Sequence, residues 1–272
     1  MTGLTSLTSN GFVSRDTLAA HLERRIMAGE LTAGEKLPSE RQLSERYGVS
    51  RPVVREALRS LVERQLVEVQ PGRGAFVRRA RLSDAAGRLE AVFRRTQATA
   101  RDVVEARTML ECTAASLAAQ RATPADLAAL ETALDQFDRA TDIIEQARCD
   151  LTFHLGIVRA ARNPVVETMF GSITGLAVEL MLRSLGDWDV ASVSLPYHRQ
   201  IADAIRARDP RQARSLMEAH LAVAATLYGE DYERSIESIA RREVQRLFPP
   251  GVTLDDLLAE TIGQERRATS ER

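Results

Sequence analysis

A chain of 272 residues with a net charge of −1 has enough material for one large domain or two smaller ones, each with a real core. Aromatic residues make up only 4%, so the interior must rest on aliphatic and small side chains, which favours packed helices. The near-neutral total hides an asymmetry: residues 12–79 carry 13 Lys and Arg against 9 Asp and Glu, which puts the basic end where a phosphate contact would need it. No apolar run marks a leader or a membrane span, and Cys112 and Cys149 form no CxxC pair, so a disulfide framework is not indicated. These features lead to the expectation of a cytoplasmic, nucleoid-associated protein with no membrane partner.

In chain order, residues 1–11 read as a flexible tail. Leu18, Leu22, Ile26 and Met27 then share one side of a helix over about 15–27. Ser39 can cap a second helix, with Gln42 three residues on, where a capping box wants Glu or Gln. Gly48 suits the left-handed turn that ends it. Ser50 is placed to cap a third helix, which opens Arg51-Pro52. Along that helix Val54, Ala57, Leu58 and Leu61 recur at i, i+3, i+4 and i+7 and face a core, while Arg51, Arg55 and Arg59 lie on a different face. Val67 to Gln70 alternates like a strand, Pro71-Gly72-Arg73-Gly74 turns, and Ala75 to Val77 returns, making a small basic wing.

An arginine-faced helix beside such a wing is what entry into the DNA major groove requires. The candidate contacts are Ser39, Arg41, Ser50, Arg51, Pro52, Val53, Arg55, Gly72 and Arg73. The stretch LPSERQLSERYGVSRPVVREALRSLVERQLVEVQPGRGAFV resembles the winged-helix domain of the GntR regulators. The resemblance implies double-stranded DNA as partner, read as an inverted repeat by a homodimer.

Beyond a short linker at 80–83 the pattern is helical throughout, with expected helices at about 83–96, 100–121, 124–138, 141–161, 164–185, 192–208 and 210–228. Thr123-Pro124, Asn163-Pro164 and Asp209-Pro210 each mark a helix start. Past residue 228, a helix is expected over Tyr232 to Phe248, a break at Pro249-Pro250-Gly251, a short helix over Leu254 to Ile262, and a frayed end. The fold expected is therefore mainly α: a winged helix-turn-helix of three helices and a two-stranded wing (12–79), an all-α antiparallel bundle of about seven helices (84–228), and a helical C-terminal extension (229–272).

Three histidines fall in the second domain. His154 follows Asp150 by four residues, so both project from one helix face; alone, this pair reads more readily as a surface ion pair. His198 and His220 sit on other helices. Imidazole and carboxylate together suit Zn, Ni, Mn or Fe, of which Zn, Ni and Mn are the expected ions, provided the helices converge, which spacing does not establish. Asp150-Leu151-Thr152-Phe153-His154, Tyr197-His198 and Ala219-His220-Leu221 resemble the ligand signatures of the metal-binding FCD effector domain found in the FadR branch. The resemblance implies a divalent transition metal on Asp150, His154, His198 and His220, no organic cofactor, and a small organic or sugar acid as effector. Arg107, Glu111 and Asn163 match further positions of that pattern and are the candidate effector contacts; a salt bridge between neighbouring helices and an Asn163 helix cap are the structural alternatives.

The function expected is a DNA-binding transcriptional regulator, not an enzyme, whose operator affinity is set by a carboxylate metabolite at the metal. Two other readings stay open on sequence alone: a metal-dependent hydrolase-like enzyme with an appended DNA-binding domain, and a constitutive repressor with a structural metal. A general base or a GxSxG nucleophile motif, which the first would need, does not stand out.

Overall fold

The computed structural model describes residues 14–79 and 82–248. The expected tail at 1–11, the break at 249–251 and the helix at 254–262 lie outside the described residues, as does part of the linker. The chain divides into a first unit ending at Asp84 and a second beginning at Ala85.

The first unit runs α1 (Arg15–Met27), α2 (Glu40–Tyr47), α3 (Arg51–Glu63), β1 (Val67–Gln70) and β2 (Gly74–Val77). Ser39 and Gln42 form the reciprocal capping box at the head of α2, and Gly48 ends that helix at φ 64°. Ser50 occupies the N-cap position of α3 with extended backbone, but its hydroxyl makes no capping bond. The apolar stripe of α3 is buried with Leu18, Leu22, Leu43, Val67 and Val77 in one cluster. The strands pair antiparallel, Val67 opposite Val77 and Gln70 opposite Gly74. Residues 35–37 add to the free edge of β2, with Leu37 N–H donating to Ala75 O and Val77 N–H to Glu35 O, both at 2.8 Å.

α4 (Leu82–Arg95) leads into the second unit, which contains, among the described residues, α5 (Ala100–Arg121), α6 (Pro124–Arg139), α7 (Ile143–Ala160), α8 (Pro164–Gly171), α9 (Thr174–Leu185), α10 (Trp188–Ser194), α11 (Pro196–Arg206) and α12 (Pro210–Leu227). A 3₁₀ turn (Gly229–Glu233) and α13 (Ile236–Leu247) follow. Thr99–Asp102 and Thr123–Asp126 close capping boxes on α5 and α6. Ala114, Ala115, Ala118 and Ala119 of α5 are fully buried, and these small side chains let α12 pack closely along it.

Three expectations need correction. The single helix over 164–185 is two, bent by 63°: the break falls at Ser172-Ile173, where the Ser172 hydroxyl turns back to Met169 O at 2.6 Å. The helix expected over 192–208 is also two, because Pro196 starts a fresh helix and Asp187 caps the short α10 ahead of it. The helix expected over Tyr232 to Phe248 spans only Ile236–Leu247, behind the 3₁₀ turn.

Candidate functional site

In the first unit the candidate DNA contacts divide by what they already hold. Arg55 forks onto Glu40 with Nε–Oε1 at 3.1 Å and Nη2–Oε2 at 2.9 Å, joining α3 to α2. Arg41 pairs with Glu45 one turn along its own helix at 2.9 Å. The hydroxyl and amide of Ser39 are both engaged by Gln42, so its first role is the cap. Ser50, Arg51 and Pro52 are exposed, with the Ser50 hydroxyl left out of the cap; Val53 is half-buried. The wing turn needs positive φ at Gly72 (72°) and Gly74 (113°), and the Arg73 guanidinium lies 5.5 Å from the centre of the Phe76 ring. The result is an exposed donor cluster at the head of α3 with a basic wing tip, the equipment for phosphate and base-edge contacts.

In the second unit the helices do converge. Asp150 and His154 come from α7, His198 from α11 and His220 from α12; one ring nitrogen from each histidine lies within 4.8 Å of the others. All four residues are buried. Asp150 Oδ1 sits 3.5 Å from His154 Nε2 and 3.3 Å from His198 Nε2. Asp150 Oδ1 and His198 Nε2 nonetheless have no hydrogen-bond partner. Two buried polar atoms left facing each other without a bond are costly unless something else satisfies both.

The other ring atoms are fixed from behind. His154 Nδ1 bonds Glu111 of α5, and Glu111 in turn accepts from Arg107 Nε at 2.6 Å. His220 Nδ1 lies 3.1 Å from Ser194 Oγ and 3.3 Å from Ser194 O, which turns its Nε2 inward. Burial and the neighbouring His198 and His154 keep His220 well below its ordinary pKa. Burial likewise brings His198 down to about 4, with Asp150 compensating only in part. These two rings are neutral at pH 7, with lone pairs free to ligate. His154 is the opposite case: burial lowers it, but Glu111 and Asp150 win and lift it to about 9. Burial also works against the Asp150 carboxylate, yet His198 and His154 hold it below the usual range. For Glu111, Arg107 and His154 outweigh burial and hold it at about 2. The cluster thus keeps positive charge between two carboxylates, the charge a divalent ion would supply. Three imidazoles, one carboxylate and two unpartnered donor atoms fit a transition-metal ion.

A cavity of about 30 Å³ opens beside the cluster, walled by Arg107, Asp150, His198 and His220 on the polar side. Of the expected effector contacts, the structure brings Arg107 to this cavity and places Glu111 behind His154. Asn163 lies elsewhere, heading α8, where its side-chain oxygen accepts from the amides of Val165 and Val166. Sequence reading missed Ser194 and Tyr228. Ser194 belongs to α10, a helix too short to announce itself. Tyr228 donates to Leu180 O at 3.1 Å and lies 2.5 Å from the cavity residue Ser184, at the junction with the C-terminal extension. The extension is tied into the bundle: Ile236 N–H donates to Ala98 O, Ala100 N–H to Arg234 O, and Asp231 holds Arg183 and Arg242.

Comparison with known proteins agrees with both halves. Residues 14–77 match the model described as bacterial regulatory proteins of the gntR family, and residues 102–223 match the FCD domain. The HTH-type transcriptional regulator LutR of Bacillus subtilis is 31% identical over 220 residues, covering 78% of this chain and all of the relative. The Glc operon transcriptional activator of Escherichia coli K12 is 34% identical over 190 residues, 68% of this chain and 72% of the relative. Among solved structures, Streptococcus agalactiae GntR superposes with a TM-score of 0.57 at 26% identity, covering 78% of this chain and 99% of that one. The chain belongs to the GntR family of DNA-binding transcriptional regulators and carries an FCD domain behind its winged helix-turn-helix.

Proposed function

We propose that this regulator senses a small carboxylic acid, bound beside a divalent transition metal held by Asp150, His154, His198 and His220, and that the acid changes its affinity for an operator. The observation that carries the reading is the pair of buried, unpartnered atoms, Asp150 Oδ1 and His198 Nε2, 3.3 Å apart within a histidine triad. Zn, Ni and Mn all suit the donor set; the ion would supply Lewis acidity toward an acid's oxygen. Arg107 supplies the matching cation at the cavity wall; its Nε is occupied by Glu111 and its Nη2 lies 3.5 Å from both ring nitrogens of His154, so a carboxylate would be met chiefly by Nη1. Ser194 and Glu111 orient His220 and His154 from behind.

A homodimer would present two copies of α3 to the half-sites of an inverted repeat. For the acid to act as a switch, it must favour one arrangement of the dimer over another by roughly 1–3 kcal/mol. The test has two parts. Metal content is measured on purified protein and on a His198→Ala, His220→Ala double variant; about one ion per chain, lost in the variant, is expected. Operator affinity is then measured with and without saturating acid. No ion in either protein after incubation with Zn, Ni and Mn would remove the metal from the reading. Unchanged operator affinity across a broad panel of acids would remove the switch.

A further inference from the structure

Trp188 is the single tryptophan of the sequence. It is 81% exposed, and Val193 on the same short helix is 49% exposed. An indole is highly buried on average, so the outward side of α10 is an apolar surface without a cover. The inward side of α10 is already committed: Val190, Ala191 and Ser194 are buried and wall the cavity, and Ser194 holds His220 from behind. Whatever covers Trp188 therefore bears on the helix that forms the cavity wall.

The described chain leads to this surface. α13 ends at Leu247, and its last turn is pinned next to the start of α10. Arg246 Nη2 donates to Gly186 O at 2.6 Å, and a methyl group built on Gly186 would lie 3.1 Å from Leu247 Cδ1. Trp188 follows Gly186 by two residues. The chain from Phe248 to Leu254 reaches up to about 20 Å, with Pro249-Pro250-Gly251 to turn it.

The sequence beyond that turn suits such a surface. Thr253 with Asp256 repeats the spacing of Thr99–Asp102 and Thr123–Asp126, and both of those pairs close capping boxes. Leu254, Leu257, Leu258 and Ile262 then recur at i, i+3, i+4 and i+8, Asp255, Asp256 and Glu260 belong to the other side, and Gly263 supplies a stop. A helix over 254–262 is shorter than the roughly 12–15 residues that isolated helices need in water, so it depends on an apolar surface to pack against.

We propose that residues 254–262 form an amphipathic helix that docks its leucine face on Trp188 and Val193 of α10 in the same chain, bracing the cavity wall from outside. The docking is independent of what the cavity binds.

The indole is its own reporter. Tryptophan emission and acrylamide quenching are measured on the full-length protein and on a Leu257→Glu, Leu258→Glu double variant, with N-acetyltryptophanamide as the reference for a free indole. The native protein is expected to be shielded; the variant should shift its emission to the red and be quenched at least twofold more strongly, toward the reference. Leu257→Met, Leu258→Met should keep the native values. A native protein quenched as strongly as the reference overturns the docking, as does shielding that the glutamates leave unchanged. Shielding that fades on dilution makes a second copy of the chain the cover and overturns the assignment to this segment. Should the glutamates disturb the fold, seen as a changed far-ultraviolet circular dichroism spectrum, Leu257→Ala, Leu258→Ala replaces them and is read in the same way.

Discussion

Ser194 reaches His220 from the last residue of a seven-residue helix, its Oγ 3.1 Å from the ring Nδ1 and its carbonyl oxygen 3.3 Å away. The contact fixes which nitrogen of His220 faces the cluster, and it places that choice under the control of α10. Groups that hold a ligating imidazole from behind commonly tune metal affinity by about 10–100-fold. Ser194→Ala is expected to weaken zinc binding within that range, read by chelator competition. The thermal midpoint of the metal-free protein should move little, since the Ser194 carbonyl remains. Zinc affinity unchanged in the variant would show that packing alone orients His220.

Much of this arrangement is written in local signals. Ser39 with Gln42, Gly48, Thr123-Pro124, Asn163-Pro164 and Asp209-Pro210 act within one turn of chain, and each lies at a helix boundary. The i, i+4 spacing of Asp150 and His154 puts both on one face because α7 is a regular helix. What periodicity could not supply was the convergence of α7, α11 and α12, which depends on tertiary packing. The break at Ser172-Ile173 was hidden for a related reason. Every residue from Thr174 to Arg183 is buried, and a helix buried all round shows no amphipathic stripe whose shift would mark a bend. In α10, Trp188 to Ser194, two valines and two serines sit in barely two turns, so it is held by its neighbours rather than by propensity.

Glu179 gives the fold a distinctive pH response. Its side chain is fully buried on α9, paired through Oε1 with Arg94 of α4 while Oε2 has no partner. Burial raises its pKa to about 7; Arg94 opposes this, and Glu90 and Glu237 add to it. A carboxyl whose folded pKa lies above its unfolded value of 4.5 leaves the native state holding the extra proton. Stability from this group therefore falls as pH rises from about 4.5 to 7 and is level above that, a loss of order 1–3 kcal/mol. Glu179→Gln is expected to remove the slope, with Arg94 still paired to Glu90 at 3.1 Å. Thermal midpoints at pH 4.5 and pH 8 check it: the variant should match the native protein at the lower pH and exceed it at the higher. A variant less stable at both would mean that the Arg94 ion pair outweighs the buried charge.

Asp231 predicts the reverse sign at lower pH. Arg242 and Arg183 hold its carboxyl at about 2, Arg242 contributing most and overcoming burial. Its ordinary value is 3.8, so its contribution is present above about pH 4 and is lost as pH falls toward 2. Asp231 also ties the C-terminal extension to α9, through Arg183 Nε at 3.0 Å and Arg242 Nη2 at 2.6 Å. Asp231→Asn should lower the thermal midpoint at pH 7 and have almost no effect at pH 2. Limited proteolysis at pH 7 should then cut first within residues 229–248. Cleavage elsewhere, with this segment still protected, would show that the apolar packing of Ile236 and Ile239 suffices to hold it.

The two arginines at the head of α3 should separate on DNA. Arg51 is exposed and has no ion pair among the described residues, whereas Arg55 is held in a two-point fork by Glu40. A guanidinium held in a fork presents its remaining edge in a fixed direction, which suits reading a base; an unrestrained one suits the phosphate backbone. Arg51→Ala is therefore expected to weaken operator and scrambled DNA alike and to reduce the salt slope by about one. Glu40→Ala releases Arg55 and removes a negative charge from the DNA-facing surface, so scrambled DNA should bind more tightly while operator affinity falls by about 1–3 kcal/mol. Fluorescence anisotropy on both duplexes, across a salt series and with an operator selected from genomic fragments, separates the two roles. If Glu40→Ala strengthened both duplexes equally, the fork would be an electrostatic brake on binding rather than an aiming device for Arg55.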